Sequence, residues 1–577
     1  MFAAATMAAS RHETDHLRAI VDMGSNGIRF SISTVQPPTA RIMPTLYQHR
    51  VGISLYDAQY DQSGGRIPIG EATISAVLSA FQHFRRTCND FGVPDEQVVV
   101  LATEATRTAI NSETFRERIK DAVGWDVTML AKEDEGRVGA MGIASSLPEV
   151  GGLVMDLGGG STQLSWLVKR NGSEVVEMPE SGSISMPYGA AAMSRRLAEA
   201  EINGSVSELE REVHNAVKGA YESLKVPREL QDAAEKLGGF TLYLSGGGFR
   251  GWGYVLMSSH RVQPYPIPVI NGFKATREMF LGTHAVKQAV AASLDDADET
   301  NIFRVSDRRA SQVPAVAFLV SVLAKALPQI KEVRFCQGGV REGHLFSSLP
   351  PEVRAQHPLV VATHPFDRSA SSQAVTRLLL SALPSEPLHG STDEEYKSTF
   401  TPDILDAFAN LMYYHSTHSK DLQATSALRS TTSGILAGVH GVLHENRTIL
   451  ALLLCARWGG DVPPSDEGFK HNLEQLVGSP WTLWWLQYIG VVASLIASVY
   501  PAGVADEYDG RLSFSVRWDS DEKRRSVLTV HVAFAADVEA GAHGDALREI
   551  EKVGKRKRWI GGRDGIGHRV SVEASSP

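Results

Sequence analysis

The sequence predicts a duplicated α/β protein: two lobes facing each other across a cleft, followed by a helical region and a small α+β cap. Three observations predict it. First, Ile20-Val-Asp22-Met-Gly24-Ser25-Asn26-Gly27 returns 134 positions later as Val154-Met-Asp156-Leu-Gly158-Gly159-Gly160-Ser161-Thr162. In each copy an apolar run ends in one Asp, turns through Gly and hydroxyl residues, and continues as an alternating strand, the pattern of a β-hairpin. Second, strands alternate with helices around both hairpins. Third, the pattern beyond Asp367 becomes helical throughout. A lone glycine turn is weak grounds for a fold, but repetition at domain-sized spacing is strong.

The elements follow in order. Residues 1–16 read as a disordered tail and 17–148 as the first lobe. Tyr47 to Gly70 is loop-like, and Ile74, Val77, Leu78, Phe81 and Phe84 recur at helical spacing. Val98–Ala102 is a buried strand delivering Thr103-Glu104-Ala-Thr106-Arg107. A helix starts near Ser112, Val127–Leu130 is a short strand, and Glu133-Asp134-Glu135-Gly-Arg137 opens the next helix. The second lobe, 149–348, holds a helix over Val206–Leu224 and a strand over Phe240–Leu244. A third glycine turn, Ser245-Gly246-Gly247-Gly248, follows, and a crossing segment at 333–348 closes the lobe. The helical domain spans 366–503. In 504–570, Leu512, Phe514, Val516 and Trp518 alternate and Val527–Phe534 is a second β-type run; 571–577 reads as a polar tail.

At 577 residues the chain exceeds one core. Its 43% hydrophobic and 21% charged composition is that of an ordinary globular protein. A net charge of −9 argues against bulk electrostatic binding to nucleic acid, so a polyanionic ligand requires a locally basic cleft. Cys88, Cys336 and Cys455 are far apart and outside any CxxC or Cys/His spacing. Disulfides and zinc are not expected, and a reducing compartment fits. The start of the chain lacks a signal-peptide pattern. Trp481–Tyr500 is uncharged over a bilayer-spanning length. Its polar Thr482, Gln487, Ser494 and Ser498, and the missing Lys/Arg flank, favour a buried helix over a membrane span. Lys555–Arg558 reads as a solvated basic face in preference to a nuclear-import patch.

The paired hairpins carry the chemistry. Asp22 and Asp156, at equivalent strand ends, would organise Mg²⁺ or a water in the cleft. A capping Asp in a turn explains one such residue well and two matched ones poorly. Gly24, Ser25 and Asn26 from one side would present phosphate-facing donors. Gly158, Gly159, Gly160, Ser161 and Thr162 from the other, with Gly246 and Gly247 of the third turn, would do the same.

Five motifs now stand in order: Asp-x-Gly-Ser-Asn, Ala-Thr-x-Ala-x-Arg, an acidic pair before Arg, Asp-x-Gly-Gly-Gly-Ser-Thr, and Arg-Glu-Gly. Spread over about Leu17 to Ser348, they resemble the exopolyphosphatase and guanosine-pentaphosphate phosphatase family. The resemblance implies the actin/hexokinase-like (ribonuclease H-like) ATPase fold and a nucleotide or polyphosphate ligand. It implies Mg²⁺-dependent phosphoanhydride hydrolysis, with Glu135 as the base beside Asp22 and Asp156. Arg107 would clamp a phosphate, which suits a bidentate guanidinium, and Arg341-Glu342-Gly343 would cross back to the first lobe. Two departures stand out. Gln163 replaces the family's metal-associated Glu, and Gly27 replaces a hydroxyl residue. The helical domain resembles an HD-type array but reads Leu453-Leu-Cys455-Ala-Arg457-Trp458, without a His-Asp pair. No metal is assigned to His440, His444 or His471. Within the family, the Asn26-Gly27 loop and long C-terminal region look most like a fungal signalling relative. That likeness implies a cytoplasmic sensor in mitochondria-to-nucleus signalling, binding ATP or a related polyphosphate and read by protein partners. The alternative is an active Mg²⁺-dependent phosphohydrolase. Neither a nucleic acid nor a membrane is expected as partner, and the assembly state, a homodimer included, stays open.

Overall fold

A computed structural model describes residues 14–576 apart from 62, 296–301, 368–370, 386–394, 506–509 and 521–524. The expected tail 1–16 lies outside the described residues up to residue 13. Its last residues are tied down, since the Asp15 carbonyl accepts from Gln97 Nε2 at 3.1 Å. The chain folds as two units. The first comprises residues to His260, Ile270–Pro358 and His440–Val442; the second comprises Arg261–Val269, Leu359–Val439 and Leu443–Pro577.

Two sheets organise the first unit. One contains β1 (Leu17–Gly24), β2 (Gly27–Thr34), β3 (Thr45–Val51), β4 (Val98–Ala102) and β5 (Val127–Met129), in the order β3-β2-β1-β4-β5. The other contains β6 (Val150–Leu157), β7 (Thr162–Lys169), β8 (Ile184–Met186), β9 (Phe240–Ser245), β10 (Lys274–Thr276) and β11 (Ile330–Phe335), in the order β10-β11-β9-β6-β7-β8. Superimposing β1 on β6 matches each strand of the first sheet to one of the second. In both, the first three strands are antiparallel and the next two join in parallel. The duplication seen in the hairpins therefore extends to the sheets.

The first sheet is held from one side by helix α1 (Glu71–Phe91), whose Ile74, Val77, Phe81 and Phe84 sit at helical spacing. Phe30 of β2 meets the rings of Phe84 and Phe81 at 4.9 and 5.5 Å. β3 corrects the loop-like reading of Tyr47–Gly70. Its side chains are all exposed or half-buried, so its sequence shows no apolar alternation; backbone pairing to β2 makes the strand, with Tyr47 and Val51 packed against the core.

The expected crossing segment 333–348 consists of the end of β11 and helix α3 (Val340–Ser348), which packs on helix α2 (Lys132–Ser145) of the first lobe. Glycine allows their backbones to touch. A Cβ on Gly343 would lie 1.8 Å from Val138 O, and one on Gly142 would lie 2.4 Å from Gly339 O. Glu342 accepts from the Gly339 N–H at 3.0 Å. Burial raises its pKa, but Arg341, His440 and backbone N–H groups outweigh burial and hold it at about 2. Arg341 pairs with Glu342, so this motif is architectural.

The second unit combines helices with a sheet of β12 (Leu512–Ser520), β13 (Ser526–Phe534) and β14 (Arg569–Ser575), in that order. Two expectations change here. The expected tail 571–577 is largely strand: β14 pairs in parallel with β13, its Val570, Val572 and Ala574 alternating with the polar Ser571, Glu573 and Ser575. The expected separate domains at 366–503 and 504–570 form one unit. The helix Pro480–Val499 supplies Trp484, Trp485 and Tyr488 to a shared core in which Trp485 meets Trp518 of β12 edge-on, and Trp484 Nε1 donates to Val553 O. That helix is long and apolar enough to cross a membrane, but 72% of its apolar window is buried in the protein.

Candidate functional site

Strand register brings the two acids together. In the first hairpin Asp22 stands opposite Arg29, whose Nη1 lies 3.2 Å from Asp22 Oδ2. In the second, Asp156 stands opposite Gln163, whose Nε2 donates to Ser161 Oγ at 2.9 Å. Asp22 and Asp156 line one cavity, joined by Gly24, Ser25, Asn26, Gly158, Gly159, Ser161, Gly246, Gly247, Glu135 and Gln163. The loops of the two lobes meet directly. A Cβ on Gly159 would lie 2.7 Å from Asn26 Nδ2, so the Asn26 amide fills the space that Gly159 vacates. Gly246 is required on two counts. Its φ is +90°, and a Cβ there would come 2.3 Å from Leu157 O.

Three expected phosphate ligands lie outside the cavity lining. Thr162 Oγ1 donates to Tyr188 O at 2.9 Å. Gly160 backs onto Glu104 and Tyr56, its missing Cβ leaving 2.5 Å to Glu104 Oε2. Arg107 turns instead to the Leu130 carbonyl and to Glu135, whose Oε2 is 3.3 Å from its Nη2. Glu135 itself faces the cavity. Burial pushes its carboxyl up to about 7; Arg107 partly offsets this, while the nearby Glu104 and Asp156 add to it. Asp156 is also raised, first by burial, against a hydrogen bond from Ser245 and the charge of Arg250 and Arg29.

The structure adds what the sequence reading missed: Arg29, Arg50, Arg250, Arg308 and Arg309 all line the same cavity. Arg50 Nη2 donates to Asn26 O at 3.1 Å, and Arg250 Nε to Gly246 O at 3.2 Å. From the start of the helix Asp307–Ala326, Arg308 Nη2 reaches Asn26 Oδ1, Ser54 Oγ and Asp57 Oδ2 at 2.8, 2.8 and 2.7 Å. These cations repel one another. Burial first, then Arg29 and Arg309, lower Arg250 to about 9. Burial, followed by neighbouring guanidiniums, lowers Arg50 and Arg309 too. A pocket that holds mutually repelling guanidiniums beside backbone turns can answer the charge of a polyanion. Only Arg29 had a sequence signal, since hairpin register places it opposite Asp22. Arg50 and the adjacent Arg308 and Arg309 lie far from both hairpins in the chain, and Arg250, just after the third glycine turn, carries no signal of its own.

A divalent cation fits this donor set poorly. Mg²⁺ demands hard, preferably anionic oxygens. Asp22 is already engaged by Arg29, and the position beside Asp156 carries an amide. Among the described residues, no group of three or more His, Cys, Asp or Glu is placed to hold a metal. In the second unit, His444 bonds Tyr265 and Val269 O, and His471 bonds Gln475.

Residues 33–352 match the model of the Ppx/GppA phosphatase family, and residues 357–576 match that of the RTG2 C-terminal domain. The chain is 41% identical over 514 residues to Retrograde regulation protein 2 of Saccharomyces cerevisiae, covering 86% of this chain and 84% of the yeast protein. It is 28% identical to the guanosine-5'-triphosphate,3'-diphosphate pyrophosphatase of Photobacterium profundum over 158 residues, 27% of this chain and 29% of that protein. Among solved structures, an Aquifex aeolicus PPX-GPPA enzyme aligns with 57% of this chain and 99% of its own at 23% identity, TM-score 0.43. A Cytophaga hutchinsonii exopolyphosphatase aligns with 58% and 99% at 18% identity, TM-score 0.43. The assignment rests on the sequence matches: a family model spanning more than half of the residues, and a yeast homologue matched over most of its length. The chain belongs to the Ppx/GppA phosphatase family, with its duplicated actin-like fold, and is a homologue of the yeast retrograde regulator.

Proposed function

We propose that this chain binds the phosphate chain of ATP or a related polyphosphate between its two lobes. In the cytoplasm, protein partners read that occupancy as a step in mitochondria-to-nucleus regulation. The observation that carries the reading is the convergence of loops from both lobes and five guanidiniums on one cavity. An anion gripped from both sides stabilises the closed arrangement by its differential affinity for it, and this is how binding becomes a signal. The regulatory half of the proposal draws on the yeast homologue's name and on the shared C-terminal domain. Calorimetry on the full chain with ATP and with tripolyphosphate tests it. Saturable binding that weakens in Arg250→Gln and Arg309→Gln is expected; a folded sample that binds neither overturns the proposal. Cell fractionation and capture of partners with and without the anion test location and readout.

One observation favours hydrolysis as a second reading. Glu135 lines the cavity, and its carboxyl titrates at about 7, where a general base for an attacking water works best near neutrality. In that reaction Glu135 takes the proton of a water whose oxygen bonds the terminal phosphorus. The anhydride P–O bond breaks, and its electron pair leaves on the shortened chain. Purified protein would release inorganic phosphate from polyphosphate, and Glu135→Gln would not. Equal turnover by the two removes Glu135 from this role.

A further inference from the structure

We infer that this cleft neutralises its phosphate chain with guanidinium groups in place of a divalent cation, so that binding is metal-independent and the uncomplexed polyanion is the preferred ligand. The inference rests on the phosphate-binding reading above and specifies its chemistry. Three independent features of the site carry it.

The first is the pair of positions that face the two acids across the hairpins. They are equivalent by the duplication, and neither carries a carboxylate. Arg29 occupies one, within 3.2 Å of Asp22, and Gln163 occupies the other. An arginine beside an aspartate competes with any metal for its oxygens. An amide offers a carbonyl dipole but no charge.

The second is the space at Gly27. Its φ is +155°, and a Cβ there would lie 2.9 Å from Val51 O and 3.1 Å from Arg50 Nε. With no side chain at that point, the Arg50 guanidinium lies against the turn and bonds the Asn26 carbonyl. Both departures from the hydrolase pattern, Gln163 and Gly27, thus change the pocket in one direction: one removes negative charge, the other leaves room for positive charge.

The third is charge balance. Five guanidiniums line the cavity against three carboxylates, Asp22, Glu135 and Asp156. A Mg²⁺ ion carried in with the ligand adds positive charge where the fixed charges already repel each other. The same ion also removes the ligand charge that the arginines are placed to meet. Planar forks suit successive phosphates along a chain, each meeting two oxygens at once.

Equilibrium binding of tripolyphosphate and of ATP to the full-length protein, in EDTA and in excess MgCl₂, decides the matter. Binding in EDTA as tight as or tighter than in MgCl₂ is the expected result. Arg50→Gln should weaken the EDTA value by about tenfold, the loss of one charge-assisted contact. Gln163→Glu should move the preference towards MgCl₂. Binding to wild-type protein that is tighter with Mg²⁺, or appears only with it, overturns this inference and leaves the phosphate-binding reading standing. A sample with native circular dichroism that binds in neither buffer overturns both. The wild-type comparison decides the outcome alone should a variant fail to fold.

Discussion

Replacing Glu135 with Gln should remove a pH-dependent weakness from the first unit. The folded carboxyl titrates at about 7 against a reference of 4.5, because burial disfavours its charged form more than Arg107 favours it. At about 1.4 kcal/mol per pH unit, that displacement is on the order of 3 kcal/mol. The direction follows from linkage. A carboxyl raised on folding contributes stability that is complete below pH 4.5 and is lost as pH rises through about 7. The substituted amide cannot ionise, and its oxygen can still accept from Arg107. Between pH 4.5 and 8 the variant should therefore gain on the wild type by on the order of 3 kcal/mol, about 5 °C in melting temperature. Other titrating groups, Asp156 among them, act equally in both proteins and cancel in the difference. Thermal melts at half-unit pH steps measure it. Parallel profiles for the two proteins would show that Glu135 is not held in the neutral form, and the argument for its burial would fail.

Three further outcomes are expected. Gly246→Ala forces a Cβ against the Leu157 backbone from a left-handed conformation; it should cost at least about 3 kcal/mol in chemical denaturation and abolish anion binding. Trp484→Ala removes a fully buried ring stacked on Tyr488 at 5.7 Å; about 3–5 kcal/mol should be lost, and the protein should stay in the aqueous fraction after membrane sedimentation. Asp22→Asn frees Arg29 from its carboxylate and should tighten tripolyphosphate binding severalfold in EDTA, read by calorimetry; a severalfold loss would show Asp22 acting as a ligand-side or metal-side group.

What the sequence disclosed was local. Hairpin chemistry is written in consecutive residues, so β1–β2 and β6–β7 could be read with their Asp positions correct. Alternation and helical spacing likewise gave α1 and the strands β4, β9, β12 and β13. β3 escaped because an edge strand is made largely by backbone pairing and its side chains leave no apolar rhythm; β14 does alternate, Val570, Val572 and Ala574 against Ser571, Glu573 and Ser575, but its polar, exposed second half reads as a tail. Thr162 and Arg107 were placed on the phosphate because their residue types suit it. Competing partners, the Tyr188 carbonyl and the Glu135 carboxylate, are distant in sequence and decide otherwise. Four of the five cavity arginines went unseen for the same reason. Arg50, Arg308 and Arg309 stand apart from the glycine turns in sequence, and nothing local separates them from ordinary surface cations; Arg250 follows the third glycine turn by two residues, but only the folded backbone turns it back onto Gly246.

The arginines give the acids of this cleft a different meaning. Guanidiniums that lower one another's pKa by proximity would open the lobes unless something answers their charge. Asp22 answers Arg29, and Asp57 answers Arg308 from across the lobe boundary. In a hydrolase of this architecture Asp22 would be counted as a metal or water ligand. On the proposed function Asp22 and Asp57 are counter-ions, holding places that an arriving phosphate chain would take over. Arg308 is the contact through which that exchange reaches the outer loop, because Asn26, Ser54 and Asp57 all meet its one Nη2 nitrogen. A ligand that draws Arg308 inward releases Ser54 and Asp57 together. On the proposed function, occupancy of the pocket would then change the surface that a partner meets, with no bond in the ligand needing to break.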